Sequence, residues 1–362
     1  MTKMIKLSLA AAVAVSALST TASAQPLEEA IKGVDVSGTV VYRYDDQTNE
    51  VYNNADDDAD STSTNQYKVA LNLKSKINDT VTFNSRFTVN NGFAAFNTQN
   101  GGDADVSVDL SHANFAVTLG DATITAGKQG LNTPWTVGTD SDSNEHSGTG
   151  ILAVVPAGPV TLAAGYFNQS NVTVDNDIAV VAAIANVGGV ALDAWYLETD
   201  RAYDSYSIGA KATIAGVTAD LRYADLDLEG DDQPDNNMLY LKLSANVGPV
   251  ALYGAIATTD KEGGLTALDS DAKNTIQAWN TNIHNKADAD FFHLRASMDV
   301  MSGLNAAINY AEVEHENGVN TVEEEELFAQ LTYTMGKNFS TYARFGTYDV
   351  DTENEETTDR TR

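Results

Sequence analysis

From Val34 to Phe345 the chain alternates apolar and polar residues with a period of two, broken only by turns and loops. Val36, Val40, Tyr42 and Tyr44 share one face against Asp35, Ser37, Thr39 and Arg43. Tyr67, Val69, Leu71 and Leu73 repeat the pattern against Gln66, Lys68, Asn72 and Lys74. Beyond a turn at Lys76-Ile77-Asn78-Asp79, Val81, Phe83, Phe87 and Val89 oppose Thr82, Asn84, Arg86 and Thr88. A helix would repeat about every 3.6 residues, so this alternation means strands with one apolar and one polar face.

Carried along the chain, the pattern predicts seventeen strands, from 34–45, 65–75 and 80–90 to 304–311, 325–334 and 339–347. Short connections at Gly120-Asp121, Ala215-Gly216 and 335–338 alternate with long ones at 46–64, 91–105, 132–148 and 258–289. Alternating segments with short turns at one end and long loops at the other describe an all-β, transmembrane, antiparallel β-barrel. A soluble sandwich is the competing fold, and two features oppose it. Tyrosines such as Tyr42, Tyr67, Tyr166, Tyr196, Tyr223 and Tyr310 sit on the apolar face where strands meet the long loops, as an interfacial girdle does. The polar face also carries mid-strand charges, which a wet lumen accommodates and a dry core does not.

The chain has 51 acidic and 21 basic residues and a formal charge of −30, which excludes nucleic acid as a partner. Without cysteine it has no disulfide, thiolate nucleophile or cysteine-ligated metal. Residues 1–24 read as a signal peptide: Lys3 and Lys6, the apolar run Leu7 to Leu18, then Ala22-Ser23-Ala24. Its removal takes the formal charge from −30 to −32 by deleting those two lysines. Residues 25–33 are expected to form a short periplasmic segment, and 34–362 the barrel with long acidic extracellular loops. An odd strand number leaves an open edge in lipid. The expectation is therefore that the final strand is missing, with Arg360 to Arg362 entering the eighteenth strand of a full-length chain; the alternatives are a miscounted strand or a closing segment supplied elsewhere.

Five scattered histidines show no paired metal spacing, and no Gly-x-Ser-x-Gly elbow occurs, so no enzyme is expected. Six bases are assigned to the lumen wall: Arg86, Lys128, Arg222, Lys242, Arg295 and Arg344. Parity is read as placing Arg86 and Lys128 at mid-height, on strands that precede the 132–148 loop. That loop carries Asp140, Asp142 and Glu145. If it folds inward, its acids face those bases across the narrowest point and set up a transverse field. The spacing of Asp140, Asp142 and Asn144 is also compatible with calcium, although no bidentate glutamate completes an EF-hand. No cofactor is otherwise required.

Thr125-Ala126-Gly127-Lys128-Gln129, followed by Asn132-Thr133-Pro134-Trp135-Thr136, resembles the approach to the third loop of bacterial trimeric porins. The opening Gln25-Pro26-Leu27-Glu28-Glu29-Ala30-Ile31-Lys32 and the segments Val34-Asp35-Val36-Ser37-Gly38 and Tyr42-Arg43-Tyr44-Asp45 resemble the campylobacterial major outer membrane porin family. Phe87-Thr88-Val89-Asn90-Asn91 and Thr218-Ala219-Asp220-Leu221-Arg222-Tyr223-Ala224 agree with it. The resemblance implies an 18-stranded homotrimeric channel in outer-membrane lipid, passing small hydrophilic solutes and ions with a preference for cations. It also implies that the third long loop folds back into the barrel. The alternatives are a substrate-specific channel and a surface adhesin on the same barrel.

Overall fold

The computed structural model describes residues 33–51, 60–89, 108–141, 145–173, 175–231, 233–318, 320–352 and 356–361. The signal peptide at 1–24 and the segment 25–32 lie outside the described residues, as do Asp142 and Asn144. The first nine strands are β1 (Val34–Val51), β2 (Asp60–Lys76), β3 (Val81–Val89), β4 (Val108–Leu119), β5 (Ala122–Gly130), β6 (Ser147–Ala157), β7 (Val160–Ser170), β8 (Ile178–Val187) and β9 (Val190–Thr199). The other nine are β10 (Tyr203–Ile214), β11 (Val217–Leu228), β12 (Asp235–Val247), β13 (Val250–Thr259), β14 (Ala287–Met301), β15 (Leu304–Asn317), β16 (Asn320–Thr334), β17 (Ser340–Asp351) and β18 (Glu356–Thr361).

Each strand pairs antiparallel with its sequence neighbours, and β18 pairs with β1, so the ladder returns on itself. The closing pairs join Asp46–Val51 to Glu356–Thr361 at the loop end; below them Val34–Asp45 pairs only with β2 among the described residues. All seventeen expected strands are present. Where Arg360 was expected to enter an eighteenth strand, Glu356–Thr361 forms a short strand that pairs with both β17 and β1 at the loop end. That segment, Glu-Thr-Thr-Asp-Arg-Thr, has no apolar residue, so a period-two search passes over it.

The outward rows carry the apolar side chains. Val40 is 76% exposed, and Leu71, Phe115, Ile256, Leu294, Ile308 and Leu327 are exposed with it. The girdle tyrosines lie in register around the ring: Tyr42 faces Tyr67, and Tyr196 faces Tyr206. Their hydroxyls donate to polar groups at the strand ends, Tyr42 to Asn65 at 2.6 Å and Tyr310 to Glu312 at 2.8 Å. An amphipathic ring there has lipid on one side and a hydrogen-bond partner on the other. The buried apolar residues sit on the inside, where loops pack against the wall.

The short connections between strands need left-handed backbone. In the two-residue turn after β10, Ala215 has φ 51 and Gly216 φ 84. An alanine there crowds its Cβ against the backbone, and glycine does not. Ala215→Gly is therefore expected to stabilise the barrel by about 1 kcal/mol. A higher midpoint in urea unfolding of the detergent-folded protein checks it; a lower one contradicts the turn geometry.

Candidate functional site: two loops inside the barrel

Two connections fold into the ring and pack on its inner face. The first, 131–146, joins β5 to β6, and the second, 260–286, joins β13 to β14. Trp135 of the first loop is fully buried and packs with Leu131, Phe167, Ile178, Val180, Leu197, Tyr203 and Leu226. Its indole N–H donates to Ser205 at 2.6 Å. Phe167, Leu197, Ser205 and Leu226 lie on the rows opposite the exposed Tyr196, Tyr206 and Ile208, so this packing is inside the barrel. The second loop buries Ile276 and Ile283 against Ala224, Met238, Tyr240, Ala255, Phe291 and Val313 of the same inner surface.

Glu145 anchors the first loop. It accepts from Arg86 Nε at 2.9 Å, from Arg86 Nη2 at 2.5 Å and from Lys68 Nζ at 2.8 Å. Ser111 Oγ donates to it at 3.3 Å, and Lys68 also donates to the Asp140 carbonyl at 2.9 Å. Arg86 is held from behind by Asn72 at 2.8 Å. Burial alone pushes the Glu145 carboxyl up. Hydrogen bonds from Arg86 and Lys68, with their two charges, outweigh it and hold the pKa at about 2. The acid does not face Arg86 across the lumen as expected; it is bonded to it, so the two cancel locally.

Lys128 also departs from expectation. Its Cα is registered with Ala113 and Thr149, on the row that runs through Ser85, Leu73 and Val36. Val36 is 64% exposed on the outer face, so Lys128 points out of the barrel and not into the lumen. It lies near the loop end of β5, where a lysine stem can lie along lipid while its ammonium reaches the interface. The base that takes the expected place beside the loop is Lys68, on the inward row of β2.

The other assigned bases are inside. Arg222 Nη2 holds Asp193 at 2.8 and 2.9 Å, two strands away, by passing over Gly209. A Cβ at Gly209 would collide with both the Arg222 guanidinium and the Asp193 carboxylate. Arg222 Nη1 also donates to Ser207 at 2.7 Å, and Ser207 donates to Asn274 of the second loop at 2.7 Å. Lys242 lies 4.0 Å over the Tyr240 ring, and Arg295 and Arg344 line the wall below the second loop.

The two loops are fastened to each other. The Leu268 amide donates to the Trp135 carbonyl at 2.9 Å, and the Asn274 amide to that of Pro134 at 2.8 Å. His146 Nδ1 lies 3.2 Å from the buried Asp269 carboxylate. The tip of the second loop hangs on Glu326 of β16, which accepts the Trp279 and Asn280 amides at 2.7 and 2.9 Å. Lys286 and His315 meet Glu324 at 2.5 and 3.1 Å. Sequence reading missed Lys68, Asp193, Asn274, Asp269 and Glu326. One signal was available: Leu265, Leu268, Ile276, Trp279 and Ile283 make the second loop too apolar to stand in water.

Asp140 lies beside Lys68, whereas the Asp142 and Asn144 positions expected for calcium are outside the described residues. Among the described residues no group of three His, Asp or Glu side chains is arranged to hold a metal ion. Glu145→Gln leaves Lys68 and Arg86 buried without their counter-charge, a loss of about 3 kcal/mol or more for the loop. Protease added to the inserted variant is expected to cut within 131–146 while the wild type resists. Because the folded carboxyl is depressed, its contribution is present above the ordinary glutamate range and is lost only as pH falls through about 2. Protection of the wild-type loop should therefore persist well below pH 4.5, the ordinary glutamate value. Cleavage equal in variant and wild type would refute the anchor.

The chain matches the Campylobacter major outer membrane protein family over residues 2–356. Comparison with curated proteins finds no match. Among solved structures it is similar to OccK2 (OpdF) and OccK5 (OpdH) of Pseudomonas aeruginosa, at 14% identity and TM-scores of 0.71 and 0.70; each match covers 90% of this chain and 96% of the other. It is also similar to OccAB1 of Acinetobacter baumannii, at 14% identity and a TM-score of 0.70, over 94% of this chain and 98% of that one. At such identity the likeness carries the fold alone. The resemblance already visible in the strand segments is thus one of descent: this chain belongs to the Campylobacter major outer membrane protein family and is an outer-membrane porin channel.

Proposed function

We propose that the barrel passes small hydrophilic solutes and ions by passive diffusion, with a preference for cations, through the space left between the two inward loops and the opposite wall. No catalytic step and no cofactor is part of this reading. The observation that carries it is the pairing of lumen bases with acids: Lys68 and Arg86 with Glu145, Arg222 with Asp193, Lys286 with Glu324. Those pairs remove much of the positive field from the wall. Above the membrane, carboxylates face each other across the strands, Glu312 against Glu325 and Glu314 against Glu323, with Asp349 and Asp351 beside them. Such a rim concentrates cations within a Debye length of about 8 Å at physiological salt.

The same proposal includes removal of residues 1–24 on export, the periplasmic placement of 25–33 and assembly as a homotrimer. Calcium at Asp140, Asp142 and Asn144 rests on their spacing alone.

In a salt gradient across a planar bilayer, the reversal potential is expected to have the sign of a cation-preferring pore. Glu145→Gln should lower that preference by freeing two cations, and Lys68→Ala with Arg86→Ala should raise it. Lys128→Ala should leave it unchanged. A reversal potential indifferent to all three would place the selecting charges elsewhere. On an unboiled gel the folded protein should run as a detergent-resistant species of about three chains, collapsing to one on boiling; a single chain before and after boiling would remove the trimer.

A further inference from the structure

Between the first loop and the short turns, the inner wall of β6 to β9 is apolar. Leu152 and Val154 of β6 are registered with Gly165 and Ala163 of β7, and these with Val180 and Ala182 of β8. Ala182 is registered with Trp195 of β9, and Trp195 with Ser207, which accepts from the inward Arg222. These side chains therefore face the lumen. With Leu131 of the loop and Phe167 of β7 they bound a cavity of 160 Å³. No charged side chain lines it among the described residues.

Charge begins only at the edge nearest the short turns. There Ile184, 40% exposed, is registered with Asp193, and Asp193 is bonded to Arg222. Two polar side chains from the loop reach the rim, and both turn to the loop itself. Asn132 Oδ1 accepts the Gly138 amide at 3.2 Å, and Thr133 Oγ1 accepts the Trp135 amide at 3.2 Å. A buried water makes about three hydrogen bonds, and this lining offers little to satisfy it. An ion would give up hydration without a counter-charge in return. An apolar group, by contrast, leaves water and meets leucine, valine and indole side chains. The size then narrows the class, since an apolar cavity of about 150 Å³ admits benzene.

We propose that this cavity binds one small, neutral, apolar ring of the size of benzene. The ring lies against Trp195 and Phe167, under Leu131, with Ala163 and Ala182 leaving the room it fills. The inference goes beyond the passage of hydrophilic solutes and does not depend on cation preference. It rests on the first loop lying inside the barrel, a placement that the protease resistance of 131–146 tests separately.

The test uses the full-length protein folded in detergent, with bromobenzene as the probe, because bromine in contact with an indole quenches its emission. Partition into the micelle gives a background that rises without limit. The cavity is expected to add a saturable component, relieved by benzene and not by the polar ring 1,4-dioxane. Ala163→Leu and Ala182→Leu, which fill the space from the wall, should each remove that component. Ala153→Leu, on the opposite face of β6 from Leu152 and Val154, should retain it. Quenching in the wild type that never saturates overturns the proposal, as does equal relief by benzene and dioxane. A saturable component that persists in both filled variants, or that is lost in Ala153→Leu, overturns it as well. If neither filled variant folds, the competition on the wild type decides alone.

Discussion

Within the apolar band every backbone amide must be bonded to a neighbouring strand, because lipid offers no other partner. That requirement holds the strands in one sheet whose two ends, β1 and β18, meet at the loop end, and a barrel of this size is too wide for wall side chains to fill. What occupies the interior is therefore chain that has left the ladder. Residues 131–146 and 260–286 do this, and both carry the apolar residues needed to pack against a wall that is otherwise polar. Trp135, Ile276 and Ile283 explain why the inner face of β7 to β15 has apolar patches at all. The dry core of this protein is the contact between its loops and its wall.

Charge follows the same logic. An inward loop brings backbone and acids next to wall bases, and each buried charge must then be paired. Glu145 meets Lys68 and Arg86, and the chain Asp193, Arg222, Ser207 and Asn274 ties the wall to the second loop. Asn274 and Leu268 bond the backbone of Pro134 and Trp135, so the two loops are joined to each other as well as to the wall.

The strands were legible because a bilayer imposes period two on the outward rows. The same fact limits the reading. β15 runs to Asn317 and β16 starts at Asn320, six and five residues beyond the apolar alternation, since above the membrane both faces turn polar while the hydrogen bonds continue. β18 lies wholly in that regime. Lys128 shows a different limit: its strand alternates Ile124 and Ala126 with Thr123 and Thr125, so parity places the lysine with the apolar pair. Giving the lumen every charge overrode that evidence. The anchors Glu326, Asn274 and Asp269 were out of reach because partners about 46 residues apart or more are joined by the fold and not by local pattern.

The claim that most needs testing is that the second loop lies inside the ring. Ser207 on the wall and Asn274 on the loop touch through their side chains at 2.7 Å, and the chain has no cysteine of its own. In S207C/N274C, inserted in a bilayer and then mildly oxidised, a disulfide should form within each chain, and the oxidised and reduced forms should conduct salt equally. Failure of the pair to cross-link, in protein that inserts and conducts, would place the loop outside the lumen and contradict the account.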